Sequence, residues 1–228
     1  MKNSDKPTLL PADPTRSAAF ALLSAVLDRH RPLDEALDQL PAMEPRDRAA
    51  AHRLAASALR RRGTIDALLE PYLKRTPPDA VMHILRLGAA GLLFLDTPAH
   101  AAVATAVGLA RGRGFEKFAG LVNAVLRRVS ENGAAALQEL DGPRLDTPAW
   151  LWSAWGREAR AIATAHYQEA PLDLSLKPGT APPEGGVMLP TGSARFPAGT
   201  RVAELPASPR VPSGCRTRRR LYRRPCCI

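Results

Sequence analysis

From Thr15 to about Glu169 the apolar residues return every three or four positions, segment after segment. A chain patterned this way can bury them only as packed helices. Ala18, Ala19, Leu22, Leu23 and Val26 share one face over residues 15–29. Leu33, Leu37 and Leu40 mark a short helix at 33–40, and a third is expected over 47–62, ended by Gly63 in a left-handed conformation. A further segment at 65–74 stops at Pro77-Pro78. Residues 81–95 carry Val81, Ile84, Leu85, Leu92 and Leu95, apolar enough to lie centrally. Thr97 before Pro98, and later Thr147 before Pro148, each read as a helix cap followed by proline in the first turn. The clearest stripe is Leu121, Val122, Val125, Leu126 and Val129, over 117–130.

The pattern changes at Pro171. Leu172, Leu174 and Leu176 alternate with polar residues, as a half-buried strand does. Pro182-Pro183 and Gly185-Gly186 lead to Val187-Met188-Leu189, and a further strand is expected within 195–205. A sheet fragment of this size is marginal alone. Charge and cysteine change again near residue 206. Arg210, Arg216, Arg218, Arg219, Arg220, Arg223 and Arg224 supply most of the formal charge of +10, and residues 207–228 contain no acid. Cys215, Cys226 and Cys227 are the chain's three cysteines, so a disulfide framework for residues 1–206 is excluded. No apolar run reaches the length of about 20 residues that a membrane span needs. The N-terminus has no secretory layout, and a cytoplasmic protein is expected.

Two stretches carry a family resemblance. The segment Ile84-Leu85-Arg86-Leu87-Gly88 through Leu92-Leu93-Phe94-Leu95-Asp96, then Pro98-Ala99-His100-Ala101-Ala102-Val103, resembles the central helical hairpin of NusB-type domains. Phe118 with Leu121-Val122-Asn123-Ala124-Val125-Leu126-Arg127-Arg128 is similar to the helix that follows in the same group. Ala104-Thr105 stand where the group often has Asn-Glu. NusB-like domains occur alone, as transcription antitermination factors, or at the front of RsmB (Sun) type 16S ribosomal RNA cytosine-C5 methyltransferases. Pro148-Ala149-Trp150-Leu151, Trp155-Gly156 and Glu169-Ala170-Pro171-Leu172-Asp173-Leu174 resemble the linker helix and first strand of the methyltransferases.

The resemblance implies an all-α fold, an orthogonal helical bundle of the NusB type that binds RNA, at residues 14–140. A flexible arm (1–13) precedes it. Linker helices (141–170), an incomplete small α/β RNA-binding subdomain (171–206) and a disordered Arg-rich tail (207–228) follow. The implied partner is RNA, 16S ribosomal RNA in the methyltransferases, with no membrane and no metal. Two alternatives stand beside this reading: a free-standing NusB-like antitermination module, and a non-functional gene fragment.

Full-length relatives use S-adenosylmethionine, held at a glycine-containing loop after a strand, and a cysteine that attacks the cytosine ring. Neither motif is present, so no cofactor and no catalytic residue is expected in this chain. Gly112-Arg113-Gly114 falls between two helices, and Gly185-Gly186 lacks the strand–loop–helix context. Pro225-Cys226 follows no cofactor fold and reads as an exposed thiol in the tail. The five histidines show no ligand spacing. In the family, a stretch reading Trp-Val-Gln-Asp followed by alanines succeeds this region. GC-rich codons for residues 213–225, read one base out, yield that stretch, which points to a frameshift close to Pro206.

Candidate RNA contacts are the basic clusters Arg60-Arg61-Arg62, Arg111, Arg113 and Lys117, and Arg127-Arg128. The first lies at a helix end and the second in a loop meeting a helix start, and both placements let guanidinium groups reach phosphate. Arg16 joins them because the matching region of NusB-type domains contacts RNA. The competing reading is a solvated charged face. Trp150, Trp152 and Trp155 are expected to pack the last helix onto the bundle rather than stack bases.

Overall fold

The computed structural model describes residues 13–167, 170–176, 181–197, 200 and 205. It divides into two compact units, Met1–Arg157 and Glu158–Ile228. The arginine-rich tail, Pro225-Cys226 and the expected arm up to residue 12 lie outside the described residues.

The first unit is a helical bundle. It comprises α1 (Pro14–Leu27), α2 (Leu33–Asp38), α3 (Pro45–Arg60), α4 (Arg62–Leu69), α5 (Asp79–Phe94), α6 (Ala99–Gly112), α7 (Ala119–Glu139), α8 (Gly142–Leu145) and α9 (Ala149–Trp155). The central position expected for α5 holds. It packs against α1, α3, α4, α6 and α7, and ten of its sixteen residues are buried. The stripe on α7 also holds: Val122, Val125, Leu126 and Val129 are buried. Its helix runs on to Glu139 because Ala136 and Leu137 keep packing against the same core.

Proline sets many of the helix starts, though not as the sequence suggested. Thr97 and Thr147 were expected to cap α6 and α9, but Pro98 (ψ 135°) and Pro148 (ψ 141°) occupy the cap positions. Each proline takes an extended ψ and is the last non-helical residue, which leaves the threonine one step outside. Pro32 and Pro78 do the same for α2 and α5. At α1 the side chain of Asp13 accepts the cap bond from the Arg16 N–H (3.3 Å).

Gly63 is a second correction. It does not end a helix in the left-handed region; it is the second residue of α4. The chain bends two residues earlier, at Arg61 (φ −107°, ψ 20°). Glycine is needed because the backbone of α8 lies against it: a Cβ there would sit 1.9 Å from the Leu145 carbonyl oxygen. Next to it, Asp146 accepts from both the N–H and the hydroxyl of Thr64, each at 2.7 Å. The segment expected over 65–74 also ends sooner. After Leu69 a 3₁₀ turn, Glu70–Tyr72, follows, since Pro71 has no N–H to continue the α-helical ladder.

The second unit holds α10 (Ala159–His166) and three strands, β1 (Leu172–Ser175), β2 (Val187–Met188) and β3 (Ser193–Phe196). They form an antiparallel sheet in the order β1-β3-β2. Leu174, Ala194 and Phe196 are its buried apolar residues among the described ones. Leu174 pairs with Ala194, and on the adjacent pair Arg195 donates twice to Asp173 (2.8 Å each). The last helical stretch, expected from Pro148 to about residue 169, is broken into α9, a 3₁₀ turn and α10. Gly156, at φ 54°, marks one break.

Candidate nucleic-acid interface

A groove of about 760 Å³ runs between the loop before α5 and one face of α7. Its loop side is built by proline. Pro71 ends the helical ladder, Leu73 is extended, and Pro77-Pro78 hold the chain extended up to the start of α5. Pro77 is buried and anchors the loop, while Lys74 and Arg75 are exposed on it. The α7 side is one helix face: Leu121, Ala124, Val125 and Arg128 recur at three- and four-residue spacing. Tyr72 and Phe118 add aromatic surface. Phe118 closes the 3₁₀ turn before α7, with the Lys117 ammonium 5.2 Å from its ring.

This arrangement has an apolar, partly aromatic floor and cations from both walls. Single-stranded RNA presents the matching chemistry, with bases that stack on aromatic or apolar surface and phosphates that meet lysine and arginine. The groove lining holds no carboxylate, histidine or cysteine.

The structure scatters the expected contact residues. Arg128 lines the groove, with Lys117 beside it through Phe118. Arg127 is exposed on α7 next to Arg128, and Arg111 is exposed in the last turn of α6. Arg113 is tied to α1: its Nη2 donates to the Ser17 carbonyl (3.2 Å), and its guanidinium lies 4.8 Å over the Phe20 ring. Arg60 is exposed at the end of α3. Arg61 is half-buried over Phe94 (5.4 Å). Arg62 stands 4.0 Å from Asp66, a carboxylate already held by Arg86 at 2.7 and 2.9 Å. Arg16 is largely buried, and loss of water pushes its guanidinium down from the usual value, against the pull of Asp13.

Sequence reading missed Tyr72, Lys74 and Arg75. Their signal was present: an aromatic and two cations in a short link, ended by Pro-Pro, between two helices. The three tryptophans differ in exposure. Trp150 is 72 % exposed, and Trp152 and Trp155 are half-buried; the Arg144 guanidinium lies 5.0 Å over the Trp152 ring.

The described residues do not fit S-adenosylmethionine. Gly112 ends α6 in a link between helices, and Gly185-Gly186 enters a two-residue strand with the Phe196 ring packed against Gly186. Among the described residues no cluster of His, Cys, Asp and Glu could hold a metal ion, and no helix is long and apolar enough to cross a membrane.

A family model described as the NusB family matches residues 13–131. Ribosomal RNA small subunit methyltransferase B of Xanthomonas campestris is 37 % identical over 171 residues, which is 71 % of this chain and 38 % of the relative. The protein of the same name from Thermus thermophilus is 41 % identical over 161 residues, covering 66 % of this chain and 38 % of its own length. T. maritima NusB, a solved structure, shares 25 % identity over 57 % of this chain and 99 % of that one, with a TM-score of 0.49. The chain spans about two fifths of the length of the curated relatives it matches. A family match over half of the chain, on a bundle of the expected helical kind, establishes that this chain belongs to the NusB family.

Proposed function

We propose that this chain is the RNA-binding N-terminal part of an S-adenosylmethionine-dependent methyltransferase that modifies a cytosine C5 of 16S ribosomal RNA in the cytoplasm. One observation carries the assignment. The match to the Xanthomonas methyltransferase extends over 171 residues, well beyond the stretch 13–131 that the NusB family model covers. A likeness confined to a free-standing antitermination factor does not account for that extra length. In the whole protein the methyl donor supplies the transferred group; the share of these residues is to hold the RNA. Lys74, Arg75 and Arg128 meet phosphates at the rim of the groove, and Tyr72, Phe118 and Leu121 give its bases a surface. The exposed Arg60, Arg111, Arg113, Lys117 and Arg127 extend the positive field around it.

Fluorescence anisotropy with single-stranded segments of 16S ribosomal RNA tests this. Lys74→Ala, Arg75→Ala and Arg128→Ala together are expected to weaken binding about tenfold or more. The slope of log K against log salt should fall by about 2, since each lost single-strand phosphate contact removes about 0.7. Unchanged affinity and slope would show that the groove is not the interface. Titrating S-adenosylmethionine into this chain is expected to give no heat of binding. Resequencing the gene across codons 200–228 and onward tests whether a corrected frame runs into a methyl-donor motif.

A further inference from the structure

One wall of the groove is a link with few attachments of its own. Residues 70–78 run from the end of α4 to the start of α5 and carry Tyr72, Lys74 and Arg75. Within the link the Leu73 N–H donates to the Glu70 carbonyl (3.1 Å), and Pro77 is buried. Among the described residues no hydrogen bond or ion pair ties Lys74, Arg75 or Thr76 to the bundle. The path of this wall therefore depends on where its two ends are held.

A single guanidinium joins those ends. Asp66 stands in the last turn of α4, three residues before its end at Leu69. Arg86 stands in the second turn of α5. Its Nε and Nη2 donate to the two oxygens of Asp66 at 2.7 and 2.9 Å, a two-pronged contact that fixes distance and angle together. Its Nη1 donates to His83 Nδ1 at 3.1 Å, one turn nearer the link. His83 is itself held by Asp28 at the end of α1 (2.9 Å), so Arg86 cannot swing without losing partners on both sides. The Arg86 side chain is 15 % exposed, and water competes little for its donors. Neither Arg86 nor Asp66 lines the groove.

We infer that the Arg86–Asp66 pair is a positioning element of the groove: by locking α4 to α5 it holds Lys74 and Arg75 opposite Arg128, placed for the phosphates of one strand. The inference rests on the reading of the groove as an RNA site and adds to it the residues that set its geometry. A wall ordered before binding spares the complex the cost of ordering it. Loosening the pair weakens binding without taking any cation out of the groove.

The test is anisotropy with the full chain and a single-stranded segment of 16S ribosomal RNA, over a salt series. Asp66→Asn breaks the two-pronged contact. By charge alone it would strengthen RNA binding, because it deletes a negative charge from the chain. It is expected instead to weaken binding about fivefold. The slope of log K against log salt should stay unchanged, since the cations that meet phosphate remain. Arg86→Lys keeps the charge but loses the planar fork, and should weaken binding by a similar factor. It carries the test should Asp66→Asn fail to fold, and both are read where their circular dichroism matches the wild type. A merely structural role would loosen the whole bundle, so the deciding readout is coupling between sites. In a Lys74→Ala/Arg75→Ala background Asp66→Asn should have no further effect, whereas in an Arg128→Ala background its effect should persist. Unchanged or tighter binding in both variants overturns the inference, and so does an effect undiminished once Lys74 and Arg75 are gone. If either happens while Lys74→Ala, Arg75→Ala and Arg128→Ala together still weaken binding, the groove reading stands without the positioning pair. If the wild type binds no RNA, the groove reading itself fails and the inference with it.

Discussion

His83 shows how far one residue's identity constrains its surroundings. It lies on the core face of α5, 2 % exposed, tilted against Phe20 at 6.2 Å. A buried imidazole needs partners for both nitrogens. Its Nδ1 faces the Arg86 Nη1 at 3.1 Å, and arginine can only donate, so Nδ1 accepts and Nε2 carries the proton it donates to Asp28 (2.9 Å). Arg86 in turn is clamped by Asp66. This chain of four polar side chains links α1, α5 and α4. The histidines show no ligand spacing with one another, and Asp28 lies 55 residues from His83, so nothing in the local pattern names it as the partner. Burial works against the charge on Asp28, yet hydrogen bonds from Ser24 and His83 outweigh it and hold the carboxyl below its usual pKa. A carboxyl depressed on folding contributes stability that is present above the unfolded value of about 4 and is lost as pH falls through the folded value. Asp28→Asn should therefore lower the melting temperature at pH 7, with a smaller effect at pH 3. An effect that does not shrink on acidification would mean that the ionised carboxylate is not what stabilises this turn.

At the scale of elements, helix existence was legible and helix ends were less so. The stripes on α1, α5 and α7 arise from a period that the sequence displays directly, because a buried face needs apolar groups wherever the helix turns back to it. Ends depend on what the neighbouring backbone requires. The turn after α5 uses Asp96 at φ 49°, which lets the Thr97 N–H donate to the Gly91 carbonyl at 3.0 Å. Asp tolerates that conformation but does not announce it. The two walls of the groove were unequally legible for a similar reason. Arg128 belongs to a helix with a visible face, whereas Lys74 and Arg75 lie in an aperiodic link whose path is set by Pro71 and Pro77-Pro78 together. Gly63 makes the sharpest case, because its glycine is dictated by Leu145, far along the chain. Gly63→Ala is expected to cost about 3 kcal/mol in chemical denaturation, since backbone rather than a movable side chain blocks the methyl group. A loss below about 1 kcal/mol, with the Thr64–Asp146 pairing kept, would show that α4 and α8 separate freely.

Across the whole molecule the two units differ in what they bury. The first has a continuous core drawn from α1 to α7, with Leu22, Leu23, Ile65, Leu69, Ile84, Leu85 and Leu126 all inaccessible or nearly so. Among the described residues, the sheet of the second buries Leu174, Ala194 and Phe196, on strands of four, two and four residues. Hydrophobic burial is the main term opposing chain entropy, so stability should be concentrated in the first unit. A sheet this small is marginal by itself. A chain restricted to residues 13–157 should then melt within about 2 °C of the full chain and keep the salt-dependent RNA affinity proposed for the groove. Within the full chain, amide hydrogens of β1 and β3 should exchange far faster than those of α5 and α7, because local opening needs less free energy where less surface is buried. A fall of about 5 °C or more on truncation, with equal protection in both units, would mean that the sheet and the bundle unfold as one cooperative body.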